Sequence, residues 1–101
     1  MIAQLGERVG LYRSTSESDG QGGATHPWTF AFAAWAGVVP VGERTDAHTR
    51  TRHRRYRFTL RYRTDLPEPA RLVWKDRTFR VLAGSDPDLR GERLHLICEE
   101  L

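Results

Sequence analysis

The sequence predicts an all-β fold, a small β-barrel of about six short strands with a long loop between the second and third strands. A nine-residue segment alternates strictly between apolar side chains and polar or charged ones, which is the pattern of a half-buried β-strand. Other short apolar runs are separated by turn-forming residues, and helical periodicity is almost absent. A closed barrel is favoured over an open sheet because closure removes exposed strand edges.

Residues 55–63, R-Y-R-F-T-L-R-Y-R, form the clearest element. Successive side chains of an extended chain point to opposite faces. One face of this strand therefore carries arginines and Thr59, and the other carries Tyr56, Phe58, Leu60 and Tyr62. A helix would scatter the same residues around its circumference, so the segment is predicted to be a strand with its apolar face in the core.

The chain before this strand is predicted to hold two strands. Residues 7–13 alternate in the same way, and residues 14–25 are rich in Ser and Gly, as expected of a turn or mobile hairpin loop. Residues 28–41 lie between Pro27 and Pro40 and contain both alanines and aromatics. We expect a strand from about residue 34 to 41, with residues 28–32 extended or completing the preceding hairpin.

The chain after the central strand is predicted to form a hairpin and a last strand. Leu66-Pro67-Glu68-Pro69 interrupts the pattern because proline donates no backbone hydrogen bond. Residues 72–74 and 79–82 flank a tight turn at 75–77. Residues 84–88 form a second loop. Residues 93–98 again alternate in polarity and are the predicted last strand. The predicted core is Val9, Leu11, Trp35, Val39, Tyr56, Phe58, Leu60, Tyr62, Val73, Phe79, Val81, Leu94 and Leu96.

Length and charge bound the interpretation. A chain of 101 residues predicts a single domain, residues 1–101. Its net charge is +3, but eight arginines and only one acid, Asp46, fall between residues 44 and 63. Residues 42–54 show no apolar periodicity and are predicted to be a flexible basic loop. Such clustering indicates nucleic acid or an acidic protein surface as partner. A solvated face that protects a strand edge is the simpler alternative.

The sequence gives little sign of catalytic or metal chemistry. His48 and His53 lie among arginines, which disfavour another cation, and His95 and Cys98 are expected on opposite faces of a strand. Cys98 is the only cysteine, beside two glutamates, and is expected to be a small core residue. We therefore expect no enzymatic activity, no metal and no cofactor. The longest apolar stretch is too short to span a membrane, so assembly in the cytoplasm is expected.

Five segments together resemble the phage head–tail joining family, the head-closure or stopper proteins of long-tailed phages and gene transfer agents. They are L-G-E-R-V-G-L-Y-R, F-A-A-W-A-G-V-V-P-V-G-E-R, Y-R-F-T-L-R-Y-R, R-L-V-W-K-D-R-T-F-R-V-L-A-G-S-D-P-D and E-R-L-H-L-I-C-E-E. Each segment alone is weak evidence, whereas their order and spacing are fairly specific. The turn at Asp76-Arg77 departs from the family, which often has glycine there.

The resemblance implies a non-catalytic subunit of a ring at the neck of a virion or phage-like particle. We expect six copies in the ring, with twelve as the alternative. The ring would lie between the portal or adaptor complex and the tail terminator or tail tube, retain packaged DNA, and let the tail dock. The implied long loop coincides with residues 42–54. Its candidate contacts with DNA in the channel, non-specific in sequence, or with an acidic partner are Arg44, Arg50, Arg52, Arg54 and Arg55.

A sequence-independent nucleic-acid-binding barrel of the OB or SH3-like kind is the alternative. Its binding face would use the arginines of residues 55–63 to follow phosphates. A base-stacking platform needs aromatic side chains on the same face as the basic groups. Here the aromatics lie opposite the arginines and are needed for the core, which disfavours this reading.

Overall fold

The computed structural model describes residues 5–14, 28–45 and 47–101. Within these residues the secondary structure is entirely β. The strands are β1 (Glu7–Ser14), β2 (Trp28–Thr45), β3 (Arg52–Arg61), β4 (Ala70–Trp74), β5 (Arg77–Ser85) and β6 (Arg93–Glu100). The predicted all-β class is confirmed. The predicted loop at 14–25 lies, from residue 15 onward, outside the described residues.

The strands close into an antiparallel barrel in the order β1-β2-β3-β6-β5-β4. β2 makes closure possible because it is 18 residues long and pairs with two neighbours in succession. Its first half pairs with β1 as far as Ala36, opposite Glu7, and its second half pairs with β3 from Gly37, opposite Thr59. The barrel prediction is confirmed, although the segment expected to become strand only near residue 34 is strand from Trp28 onward.

The barrel interior is apolar and centred on the alternating face of β3. Phe58 and Leu60 are fully buried there, together with Leu72, Phe79 and Leu96 from the facing strands. Aromatic rings meet edge-on, with the centroids of Phe58 and Phe79 5.3 Å apart. The face assignment made from the sequence is therefore confirmed for β3, and Cys98 is buried in the same core, as expected.

Four predicted core residues are wrong. Trp35 is 54% exposed, Val39 38% and Tyr62 41%. Val73 lies between Leu72 and Trp74, which pack in the core, so its side chain is on the outer face of β4 and only partly buried. On β2 the inward-facing side chains are those of Phe32, Ala34, Ala36 and Val38, so Trp35 and Val39 fall on the outer face. Tyr62 lies just beyond the end of β3 at Arg61, where the alternation no longer applies.

The β4–β5 connection is a tight turn of two residues, Lys75 and Asp76, one residue shorter than the turn predicted at 75–77, because Arg77 already belongs to β5. Lys75 and Asp76 both have positive φ, at 50° and 59°, which is the conformation of a type I′ hairpin turn. This turn type matches the twist of the flanking strands and normally favours Asn-Gly or Asp-Gly. No helix able to cross a membrane is found in the described part of the chain.

The predicted loop at 42–54 is wrong in its bounds. β2 continues to Thr45 and β3 begins at Arg52. The two strands pair with each other as far as the pair of Thr45 with Arg52. A β-bulge between Pro40 and Gly42 shifts the register, and Gly42 has φ 134°, a conformation that favours glycine. The sequence does not predict strand in residues 42–54 because these residues lack apolar alternation. Their pairing depends on backbone hydrogen bonds and on the charges described next.

Candidate contact surface: an arginine arm and its carboxylate anchor

Residues 42–45 and 52–54 form a two-stranded extension of the barrel, and the segment 42–54 is here called the arm. β6 pairs with β3 only as far as Arg55 and Glu99. Beyond that pair, within the described residues, the two strands of the arm pair only with each other. An isolated two-stranded hairpin is marginally stable in water. The arm therefore needs an anchor where it leaves the barrel.

Glu99 provides that anchor on the outer face of β6. Leu96 and Cys98 point into the core, so Glu99 points outward, yet its side chain is only 2% exposed. Arg55 of β3 and Arg80 of β5 are its direct neighbours on the two flanking strands. Three arginine side chains cover the carboxylate from the outside, which explains how an outward-facing acid is buried.

The contacts with Glu99 use both carboxylate oxygens. Arg44 donates twice, from Nε to Oε2 at 3.1 Å and from Nη2 to Oε1 at 3.0 Å. Arg55 donates from Nε to Oε2 at 2.9 Å, and Arg80 donates from Nη2 to Oε1 at 3.1 Å. Since Arg44 belongs to the arm and the other two arginines to the barrel, the carboxylate ties the arm to the barrel wall.

The electrostatics favour the ionised carboxylate. Hydrogen bonds from Arg44 hold the pKa of Glu99 at about 2, against an ordinary 4.5, with Arg55 adding to the effect and desolvation of the carboxylate opposing it. One negative charge here faces three positive charges. The Glu99 cluster, defined as Glu99, Arg44, Arg55 and Arg80, thus keeps a net positive charge at its surface.

The structure separates the five predicted contact arginines into two groups. Arg44 and Arg55 are engaged by Glu99 and have 41% and 37% of their side chains exposed. Arg50, Arg52 and Arg54 are exposed on the outer part of the arm. Arg54 lies 3.9 Å from Glu43 across the hairpin, a weak and solvated ion pair. Only this outer group presents its guanidiniums without a buried partner.

A second charged group closes one end of the barrel. Arg77 donates to both oxygens of Glu100, at 2.7 and 2.6 Å, and to the hydroxyl of Tyr56 at 3.0 Å. The pKa of Glu100 is lowered mainly by its hydrogen bonds with Arg77. Glu99 and Glu100 therefore form two different anchors on opposite faces of β6. Both glutamates follow the predicted last strand at residues 93–98, and neither is among the site residues predicted from the sequence.

Arginines also stack on three aromatic rings of β2, of which Trp35 is exposed and Phe32 and Trp28 are partly buried. The guanidinium carbon of Arg63 lies 3.5 Å from the ring centroid of Phe32, and that of Arg71 lies 4.3 Å from the ring of Trp28. Arg8 lies 5.0 Å from the ring of Trp35. In each of these pairs a guanidinium occupies the ring face on which a base would otherwise stack.

The described residues show no assembled metal or nucleophile site. Among them, no three His, Cys, Asp or Glu side chains lie close enough to hold a metal. Burial raises the pKa of the Cys98 thiol to about 12, so this sulfur stays protonated. The Glu99 cluster and the arm are thus the most distinctive charged features of the described surface.

A solved structure and a family of known proteins match this chain. A chain of the virion of a native gene transfer agent (GTA) particle is similar in structure, with a TM-score of 0.77, 22% sequence identity and coverage of 93% of each chain. At that identity the likeness shows the shared fold alone. No curated protein matches in sequence. The model of the phage head completion protein family matches residues 1–101, and the chain therefore belongs to that family.

Proposed function

We propose that this protein is a structural head–tail connector subunit, a stopper that forms a ring at the particle neck, retains packaged DNA and lets the tail dock. The family match over residues 1–101 is the observation that carries this proposal. The similar chain in a gene transfer agent virion supports a place in a phage or phage-derived particle. In this proposal the protein is assembled in the bacterial cytoplasm, catalyses no reaction, and meets the portal or adaptor ring on one side and the tail on the other.

The arm is the part of the subunit proposed to reach the channel. Its outer arginines, Arg50, Arg52 and Arg54, are exposed and carry no buried counter-charge. Guanidiniums bind phosphate oxygens without reading base sequence, which suits DNA that passes through a channel. Arg44 and Arg55 have the supporting role of fixing the base of the arm through Glu99.

Deletion of the gene tests the connector role. Without a stopper, heads should package DNA but fail to acquire tails, and complementation with the intact gene should restore tailed particles. Electron microscopy of the particles and nuclease protection of their DNA give the readout. Normal tailed particles from the deletion strain would reject the proposal.

Two outer arginines test the role of the arm. The double variant Arg50→Gln/Arg52→Gln should assemble into particles yet lose DNA more readily under osmotic or thermal stress. The matched control is Arg13→Gln/Arg90→Gln, which removes the same charge from two exposed arginines outside the arm. Equal DNA loss from both variants would show that overall charge matters and that the arm has no particular contact with DNA.

The nucleic-acid-binding barrel gains no specific support from the structure. The aromatics of β3 face the core, with Phe58 fully buried, and three rings of β2, those of Phe32, Trp28 and Trp35, are each stacked by an arginine. Tight, salt-sensitive binding of single-stranded DNA by the isolated protein, together with normal particles in the deletion strain, would favour that alternative.

A further inference from the structure

Trp35 is an exposed knob on one wall of the barrel. Its side chain stands on the outer face of β2 and is 54% exposed, and Val39 follows on the same face at 38%. Arg8 of β1, the direct cross-strand neighbour of Trp35, stacks on its ring. A tryptophan held this way keeps a large apolar area in water, and Trp is enriched at the centres of protein interfaces.

A groove lies on the other side of the barrel. It has a volume of about 270 Å³ and runs between the segment 66–69 and β5. Apolar side chains line much of it, namely Leu66, Pro67, Pro69, Val81, Leu82 and Ala83. Glu68 also lines it and is an exposed acid.

The topology places these two features on opposite walls. In the closed order β1-β2-β3-β6-β5-β4, β2 and β5 are separated by two strands in either direction. A head-to-tail contact that closes into a ring needs two different, complementary patches on one subunit. Two faces of about 800 Å² each fit on a surface of 7123 Å².

We propose that Trp35 of one copy docks in the groove between residues 66–69 and β5 of the next copy, with Arg8 facing Glu68 across the contact. The charges are complementary because Trp35 is flanked by Arg8, Arg61 and Arg63, whereas the groove carries Glu68 and no arginine. The proposal rests on the ring proposed above and assigns its subunit interface.

Cross-linking in assembled particles tests the contact. Ala33→Cys/Ala83→Cys places one thiol beside the Trp35 knob and one in the groove, and native Cys98 is buried and unreactive. Particles treated with a short bismaleimide should give a ladder of covalent multimers on a denaturing gel. The single variants, Ala33→Cys and Ala83→Cys, are the controls and should give no ladder, because in a head-to-tail contact position 33 lies near position 83 of the next copy.

The outcomes separate this interface from the proposed function. A protein present in the particles but without a ladder would overturn the interface and leave the ring proposal standing. Covalent dimers without larger species would also overturn it, because they indicate a two-fold contact. Particles that contain no copy of the protein would reject the proposed function itself.

Charge reversal gives an independent readout of the same contact. Arg8→Glu and Glu68→Arg should each lower the yield of tailed particles at least tenfold, and the double variant Arg8→Glu/Glu68→Arg should recover most of that yield. Both residues are exposed, so thermal melting of the purified variants should match the parent and exclude misfolding. Absence of recovery in the double variant, with normal melting, would overturn the pairing of Arg8 with Glu68.

Discussion

The barrel interior and the base of the arm are held together by different forces. In the interior, Phe58, Leu60 and Leu72 are fully buried among other apolar side chains, and each large side chain contributes about 1.5–3 kcal/mol by leaving water. At the base of the arm, Glu99 is buried by three arginines instead. The barrel interior is stabilised without charged groups, whereas the base of the arm depends on them.

This difference predicts different responses to mutation and pH. Loss of an apolar side chain leaves a cavity at any pH, and the whole barrel loses stability. Loss of the Glu99 charge releases arginines that are already partly in water, so the cost is smaller and concentrated in the arm. The four predictions below test this contrast, beginning with the largest expected effect.

Phe58→Ala should destabilise the barrel by about 3–5 kcal/mol, because it empties a fully buried site at the centre of the core. For a domain of this size the melting temperature should fall by about 15 °C or more, or the chain should fail to fold. Thermal denaturation followed by circular dichroism gives the measurement. Trp35→Ala is the matched aromatic control, and its exposed ring should make it much milder; similar shifts for both would contradict the burial of Phe58.

Glu99→Gln should destabilise the protein by about 2 kcal/mol, less than a fully buried ion pair because its arginine partners are 37–55% exposed. Urea unfolding measures the total effect. Hydrogen exchange should locate it, with amides of the arm losing protection well before those of the barrel.

Glu92→Gln is the control for that variant, since Glu92 is an exposed acid outside the cluster. It should change stability by less than about 0.5 kcal/mol. An arm whose exchange is the same in the parent and in Glu99→Gln would show that the carboxylate does not anchor it.

The contribution of Glu99 should depend on pH in one direction. Its pKa is about 2 in the folded protein, below an ordinary 4.5, so its stabilisation is complete above the unfolded value and is lost as the pH falls toward the folded value. The stability difference between the parent and Glu99→Gln should therefore be constant near neutral pH and shrink below about pH 4.5. Urea titrations at several pH values measure it, and a difference that persists at low pH would point to packing instead of charge.

Asp76→Gly should stabilise the protein slightly, by about 0.5 kcal/mol. Asp76 has φ 59° in the two-residue turn, and glycine adopts this conformation without the cost that a side chain brings. The same thermal denaturation measures it. A lower melting temperature would show that the aspartate side chain contributes more than the backbone strain costs.

The barrel was predictable from the sequence because its signal is local. On β3 the apolar residues occupy only one face, so the alternation identified the buried side chains before the structure was known. On β2 both faces are apolar: Phe32, Ala34 and Ala36 on one, and Ala33 and Trp35 on the other. Such a strand does not reveal which face is buried, and the larger side chain was wrongly placed inside.

The Glu99 cluster was not predictable because its members are distant in sequence. Glu99 lies 55 residues from Arg44, 44 from Arg55 and 19 from Arg80. Only the barrel order, with β6 between β3 and β5, brings these side chains together. The local sequence, two glutamates after an apolar strand, is that of an ordinary solvated strand end.

The bulge at Val41 has a consequence for how the protein can change in evolution. The cross-strand partners continue from Pro40 directly to Gly42, so Val41 is a surplus residue that takes part in no pair. Without the bulge the register of Pro40 would continue, Arg44 would lie opposite Arg52, and its side chain would point away from Glu99. A bulge also bends the strand in which it occurs. A descendant lacking Val41 would keep every pairing and change only the direction in which the arm leaves the barrel. Single-residue deletion at this point is thus a simple way to redirect the arm toward a neighbour of different shape while the barrel stays the same.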